Sequence, residues 1–274
     1  EDDLQSVRYM RADNDPSYIE KKTEADLSRL YGDFENVISV WESLLGSDGE
    51  SAPVRRNLAN AYYGRSQRRW ELMDPNNLER ITELMDENLA SDPTNGRDIR
   101  TWFQAARRLP SFSFNTALDR LSKWLRGAET AEAHFYLYIL HFLMWQRSRS
   151  TIGEEQIISH IKRCKELSIY RRDYCYEWLA SEPAWCPMID HSSLGKMEPI
   201  PKGARRTVLF KDTRRLARIS GTTVPGFERQ GGVLRLGGRL SSFLVPGETL
   251  YAYKDQQREV NFFLGFSHEG LRGW

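Results

Sequence analysis

The side chains best placed for chemistry are basic and lie toward the C-terminal end. Lys202, Arg205, Arg206, Lys211, Arg214, Arg215 and Arg218 form a dense track, which Arg229, Arg235 and Arg239 extend. Cations at this density can neutralise successive phosphates, giving salt-dependent affinity for RNA or DNA with little sequence preference. Phe243 and Phe263 are the rings that could stack on a base if they face outward; turned inward they are core. The arginines have a second reading, as a solvated face or as docking partners for acidic residues elsewhere in the chain.

Other chemistries lack their residue patterns. There is no G-x-x-x-x-G-K-[ST] phosphate loop, no G-x-S-x-G elbow and no H-E-x-x-H. Gly231-Gly232 and Gly237-Gly238 flank a short run with no helix after it to receive phosphate. His134 and His141, seven apart, share a helix face without a third ligand nearby in sequence. Cys164, Cys175 and Cys186 fall at intervals of eleven, with no C-x-x-C spacing, and read as buried free thiols. The expectation is a non-enzymatic chain without metal or cofactor. Three cysteines, an odd number, favour a reducing compartment, hence the cytoplasm. The longest apolar run, Phe135 to Trp145, is too short for a membrane span, so no membrane partner is expected. The first residue is Glu1 and not Met, which suggests a piece of a larger protein.

Charge separates two regions. From Pro201 onward there are 13 Lys and Arg against 6 Asp and Glu, a balance of +7. The preceding part has 26 against 32, a balance of −6. Such asymmetry marks domains with different partners. With 40% hydrophobic residues the chain can also build a core, which excludes wholesale disorder.

The elements that would position these groups differ on the two sides. Leu27, Leu30 and Tyr31 recur at helical spacing, Gly32-Asp33-Phe34 interrupts, and Val37, Val40, Trp41 and Leu44 resume. A second pair runs through Leu58–Tyr63 and Leu78–Leu89, with a break at Asp74-Pro75 and a close at Asp92-Pro93. A third joins Trp102–Ala106 to Ala117–Leu125, and a fourth joins Ala131–Arg147 to Glu154–Leu167. Trp41, Trp102, Trp124 and Trp145 sit at core spacing. The pairs resemble tetratricopeptide repeats: Gly32-Asp33-Phe34 matches the inter-helix turn, and Leu89 and Pro93 match the closing positions. Asn88 departs from the pattern, standing where a small residue is usual.

From Ser181 the helical signal fades into a connector containing Pro183, Pro187, Pro199 and Pro201, with Trp178 and Trp185 beside or in it to pin it to the helices. Strands are then expected at Thr207–Lys211, Leu216–Val224, Gly232–Leu236, Leu240–Val245 and Arg258–Phe266, with Tyr251–Tyr253 extending one hairpin. Val260, Phe262, Leu264 and Phe266 share one face of the last strand. About five short strands punctuated by glycine fit a small β-barrel of the OB type.

The stretches Leu216–Gly221, Gly231–Leu236, Phe243–Gly247 and above all Leu264–Trp274 resemble the cold-shock-like OB module that ends many antiviral and antiphage STAND-class NTPases. There it follows a tetratricopeptide array, and the helix at Ala131–Phe142 looks like that family's last repeat. The resemblance implies a C-terminal sensor or regulatory region, whose NTPase and effector domains lie elsewhere in the parent protein. Leu234 and Leu236 stand where cold-shock domains carry stacking aromatics, which leaves Phe243 as the main stacking candidate.

The expected organisation is α+β in two domains: helical repeats over 1–180, a connector over 181–204 and a barrel over 205–274. Repeat arrays recognise proteins in a concave groove lined by the first helix of each pair, and Asn57, Asn60, Tyr63 and Arg100 are its candidates here. The partner would be a protein trigger or the parent's own NTPase domain. The basic barrel is the candidate for RNA or DNA. The remaining reading is an oligomerisation scaffold.

Overall fold

The computed structural model describes residues 16–48, 51–148, 151–168, 175–194, 213–224, 232–244 and 257–274. The chain divides into two compact units, Glu1–Ser111 and Phe112–Trp274. It is an α+β protein with a helical N-terminal part and a C-terminal closed barrel. No helix among the described residues is long and apolar enough to cross a membrane.

The first unit holds α1 (Pro16–Leu30), α2 (Phe34–Asp48), α3 (Ala52–Arg65), α4 (Pro75–Ser91) and α5 (Gly96–Ala106). Its punctuation is local chemistry. Gly32 turns the chain between α1 and α2 at φ +77°, where a side chain would be strained. Asp74 caps α4 by accepting from the Asn76 amide at 2.8 Å, with Pro75 opening the helix. Asn95 caps α5 through the Asp98 amide at 3.2 Å. The core is made by Trp41, Leu58, Ile81, Leu84, Met85, Ile99 and Phe103.

One helix orients otherwise than its leucines suggest. Leu27, Leu30 and Tyr31 are exposed, at 51%, 78% and 86%. Helix α1 carries a second stripe, Tyr18 and Ala25, and this is the one that is buried, with Tyr18 6.4 Å from the Trp41 ring. Two stripes on one helix have the same period, so spacing alone does not choose between them.

Asn88, the departure from the repeat pattern, is the centre of a buried polar network. Its Oδ1 accepts from Arg55 Nε at 2.6 Å, and its Nδ2 donates to Asp98 Oδ2 at 3.2 Å. Asp98, only 1% exposed, also accepts from Arg56 Nε (2.8 Å) and Nη2 (2.7 Å). A polar side chain between α3, α4 and α5 joins them where a small one would only let them approach.

The second unit contains α6 (Phe114–Gly127), α7 (Ala131–Ser148) and α8 (Thr151–Leu167). Among the described residues seven strands follow: β1 (Glu177–Leu179), β2 (Met188–Asp190), β3 (Arg218–Thr223), β4 (Val233–Gly237), β5 (Leu240–Leu244), β6 (Glu259–Ser267) and β7 (Gly270–Gly273). Around the barrel the order is β3-β4-β5-β7-β6, closed by β6 against β3. The β5–β7 pair is parallel and the others are antiparallel. Leu234, Leu264 and Phe266 are fully buried, with Phe262, Leu240 and Leu271 nearly so. The inward face expected of β6 is buried at Phe262, Leu264 and Phe266 and partly buried at Val260, whereas Gly265 and Ser267 on the other face are buried as well.

Two departures concern boundaries. The expected connector, 181–204, contains β2, and the β1–β2 hairpin adds to β6 outside the barrel, with Trp178 opposite Gly265. A Cβ on Gly265 would lie 2.6 Å from Cys175 Sγ, so only glycine lets this hairpin lie so close. Trp178 is buried in a cluster with Cys175, Ile189, Leu194 and Leu216, against the sheet and not the helices, whereas Trp185 is 43% exposed. Helices α7 and α8 also belong to the barrel's unit. Tyr138 donates to the Ser267 carbonyl at 2.7 Å, and Phe142 packs edge-on against Phe266. That explains why α7 is apolar nearly all round: α8 covers one side and the barrel the other. The expected strands at Thr207–Lys211 and Tyr251–Tyr253 lie outside the described residues.

Candidate functional site

Two surfaces carry the candidate residues. On the helical unit, Asn57, Asn60 and Tyr63 follow one another at three-residue spacing on α3; Asn60 is exposed and the other two are half-buried. The Tyr63 ring stacks on Trp70 at 4.7 Å, and the Arg108 guanidinium lies 5.6 Å from the Trp70 ring. Arg108 Nη1 donates to both the backbone and the side-chain oxygen of Gln104 at 2.7 Å, which fixes its direction. Arg100 is exposed on the α5 stripe that continues through Gln104 to Arg108. Of the expected groove residues, Tyr63 is thus tied to an aromatic pair, while Asn57 and Asn60 lie on the same helix and Arg100 lies on α5.

The stack depends on the loop after α3. Gln67 and Arg68 both adopt left-handed backbone, at φ 55° and 57°, although neither is glycine. The Arg68 amide returns to the Tyr63 carbonyl at 3.0 Å, so the reversal is hydrogen-bonded. It leads into a 3₁₀ turn at Trp70–Leu72.

On the barrel, Arg218 faces Phe263 across the β3–β6 ladder, with its guanidinium 4.9 Å from the ring centre. Phe263 in turn stacks on Trp274 at 5.5 Å and 30°, and their backbones exchange hydrogen bonds of 2.8 and 2.9 Å. Arg235 is exposed on β4, opposite Thr222 and Ser241. Phe243 faces outward at 40% exposure, with the Arg272 guanidinium 5.6 Å from its ring. Arg214 and Arg215 are exposed just before β3, and Arg215 donates to the Ser193 carbonyl at 3.3 Å. Lys202, Arg205, Arg206 and Lys211 lie outside the described residues. An ion pair between barrel and helices is formed by Arg239 and Glu155, 3.7 Å apart and both exposed.

The end of the barrel at the β4–β5 and β6–β7 turns is occupied by helices. Glu154 of α8, 6% exposed, accepts from the Arg239 amide at 3.0 Å and from Trp145 Nε1 at 3.2 Å. Phe135 packs edge-on against His268 at 4.9 Å.

The histidines group differently from the sequence reading. His160 of α8 joins His134 and His141: its Nδ1 is 2.8 Å from His134 Nδ1, and its ring stacks on His141 at 5.5 Å. Burial lowers the pKa of all three, and neighbouring His134 and His141 help bring His160 down to about 4. His134 Nε2 faces Glu129 at 3.8 Å, on the opposite side of the ring from His160. Among the described residues no group of three or more His, Cys, Asp or Glu is placed to hold a metal ion. Cys164, Cys175 and Cys186 are buried free thiols, and burial pushes Cys164 up to about 12.

Sequence reasoning missed Trp70 and Arg108, because neither falls on the periodic face of a helix. It also missed Trp274 as the support of Phe263, because the glycines of β7 hide a strand. The available signal was the aromatic at Trp274, two residues beyond Arg272 and in register with the β6 alternation. No family model matches the sequence, and no curated protein matches it.

Proposed function

We propose that the chain is a non-enzymatic sensor or regulatory region of a larger innate-immune or antiphage NTPase of the STAND class, working in the cytoplasm. In this reading the helices are degenerate tetratricopeptide-type repeats that recognise a protein trigger or the parent's own NTPase domain. The barrel is an OB-fold. Its order, β3-β4-β5-β7-β6 with one parallel pair at β5–β7, supports that assignment.

The observation that carries protein recognition is the α3–α5 surface. Tyr63, Trp70 and Arg108 are in contact there, with exposed Asn60 on α3 and exposed Arg100 on α5, where a purely structural face needs only solvated charge. The test is selection from a displayed random-peptide library with the whole chain as bait. Peptides should enrich on the wild type and be lost on a Tyr63→Ala, Arg100→Glu variant that still melts cooperatively. Absence of enrichment, or enrichment indifferent to that variant, would leave the helices as a scaffold.

A second reading assigns nucleic-acid binding to the barrel, favoured by exposed Arg235 and by outward-facing Phe243. Anisotropy with labelled single-stranded RNA across a salt series checks it. A steep salt slope that Arg218→Glu with Arg235→Glu removes is the expected result. No binding at low salt would make the barrel a docking module.

A further inference from the structure

The first unit is acidic as a whole, with 15 Lys and Arg against 21 Asp and Glu over Glu1–Ser111, a balance of −6. Yet Arg65, Arg68, Arg69, Arg107 and Arg108 fall at or just past the C-terminal ends of α3 and α5, and Arg108 lies over the Trp70 ring. Arg65 is bound to Glu35 at 3.0 Å, and Arg107 is buried with its guanidinium on Gln104 Oε1 at 2.7 Å. Arg68 and Arg69 are exposed, and neither has an ion-pair partner among the described residues. They immediately precede Trp70, whose ring packs on Tyr63 and carries Arg108, and Leu72, two residues past Trp70, is 57% exposed.

This platform thus offers two exposed cations next in sequence to a ring that already carries a guanidinium, and an exposed apolar side chain two residues further on. Of the acidic residues near these elements, Glu71 lies on the 3₁₀ turn, Glu35 is engaged by Arg65, and Asp74 caps α4. Gln67 and Arg68, both in left-handed backbone, turn the chain just before Arg69 and Trp70.

We propose that this platform binds an acidic peptide segment with an apolar anchor: carboxylates on Arg68 and Arg69, and the anchor against Trp70 and Leu72. The inference rests on the reading of the helices as a protein-recognition surface. A short carboxylate-bearing segment fits better than a nucleic acid, because a long polyanion would meet the net negative charge of the rest of the unit. Arginine also suits carboxylates geometrically, through its planar fork of donors.

The probe is a fluorescein-labelled peptide of alternating Glu and Leu, titrated with the full chain and followed by anisotropy. It should bind, lose affinity as salt rises from about 50 to about 300 mM, and weaken by roughly tenfold or more in Arg68→Glu with Arg69→Glu. The exposed positions of both arginines make that variant a conservative one for folding, and its melting temperature checks this. Arg68→Ala with Arg69→Ala should fall between. Arg218→Glu with Arg235→Glu should bind the peptide as the wild type does. Equal binding of a Lys and Leu peptide, undiminished binding by the double Glu variant, or preference for oligo-deoxythymidine at this same surface would each overturn the proposal. Displayed peptides that depend on Tyr63 and Arg100 but carry no acidic residues would overturn it while leaving protein recognition intact. Absence of any peptide in both experiments would remove both.

Discussion

Arg108 over Trp70 and Tyr63, and Arg218 over Phe263 and Trp274, are one arrangement built twice: a guanidinium, a first ring and a second ring. The spacings are close, 5.6 and 4.7 Å in the helical unit against 4.9 and 5.5 Å in the barrel. The supports are opposite in kind. In the helical unit, the helices bearing the stack meet through buried polar groups: Arg55, Arg56, Asn88 and Asp98. In the barrel, backbone ladders fix both rings, and the side chains beneath are aliphatic or aromatic. A surface resting on ladders tolerates loss of one side chain, because every strand is tied at several registers. A surface resting on one carboxylate does not. The difference should therefore appear in stability before it appears in binding.

The largest effect is expected at Asp98. Replacing it with Ala removes, at a site 1% exposed, the carboxylate that accepts from the partly exposed Arg56 guanidinium and from the buried Asn88 amide. Loss of one partner from a fully buried pair costs about 3–5 kcal/mol, and the partial exposure of Arg56 sets this case at the lower end, about 3 kcal/mol. Urea unfolding measures it, and Arg56→Ala in the same background should add much less than it does alone. A loss below about 1 kcal/mol would mean that apolar packing, and not this network, joins α3 to α4 and α5.

The counterpart in the second unit is Glu154, and its removal should cost less, about 2–3 kcal/mol. Glu154→Ala strands the Arg239 amide and Trp145 Nε1, but Tyr138, Phe142 and Phe266 still pack the helices onto the barrel. The pair is sharpened by Gly238, which sits at φ +50° with its missing Cβ only 2.1 Å from Glu154 Oε1. Gly238→Ala should destabilise the wild type and cost distinctly less when Glu154 is already Ala. Additive losses would place the whole cost of Gly238→Ala in its backbone and none in the carboxylate.

The same contrast explains how much was legible in sequence. Helical periods and the inward stripe of Val260, Phe262, Leu264 and Phe266 could be read, because burial repeats with a fixed spacing. The four tryptophans at helical spacing are buried for the same reason. Partnerships across long separations have no period. Nothing around Asn88 announces Arg55 and Asp98, and nothing around Glu154 announces the turn at Gly238. His160 was unread as a companion of His134 because it comes from the next helix. Strands β1, β2 and β7 are three or four residues long, too short for an alternation to register. Leu27 and Tyr31 looked like core because apolar spacing marks a helix face without saying what lies against it.

The smallest and most graded effect should come from the three histidines between α7 and α8. An unfolded histidine titrates near 6.5, whereas burial, with His134 and His141 beside it, holds His160 down to about 4. Between these values the unfolded chain binds a proton that the folded chain refuses. Stability must then rise with pH across that window: the contribution is complete above about pH 6.5 and gone below about pH 4. Discounted for partial exposure, it is worth roughly 2 kcal/mol. His134 and His141, shifted the same way, add to the slope in the upper part of the window. The facing charges leave the sign unchanged. Glu129, held below its ordinary range by Arg163, stays ionised until lower pH, and Arg163 stays charged throughout. Thermal melts from about pH 7.5 to about pH 4.5 should therefore show a falling midpoint that His160→Gln flattens. Asp98→Ala, which acts in the other unit, should lower the whole curve without changing its slope. A wild-type midpoint that is level across this range, or one that His160→Gln leaves just as steep, would mean the cluster opens to solvent before it is protonated, and the second unit would owe its pH response to carboxylates instead.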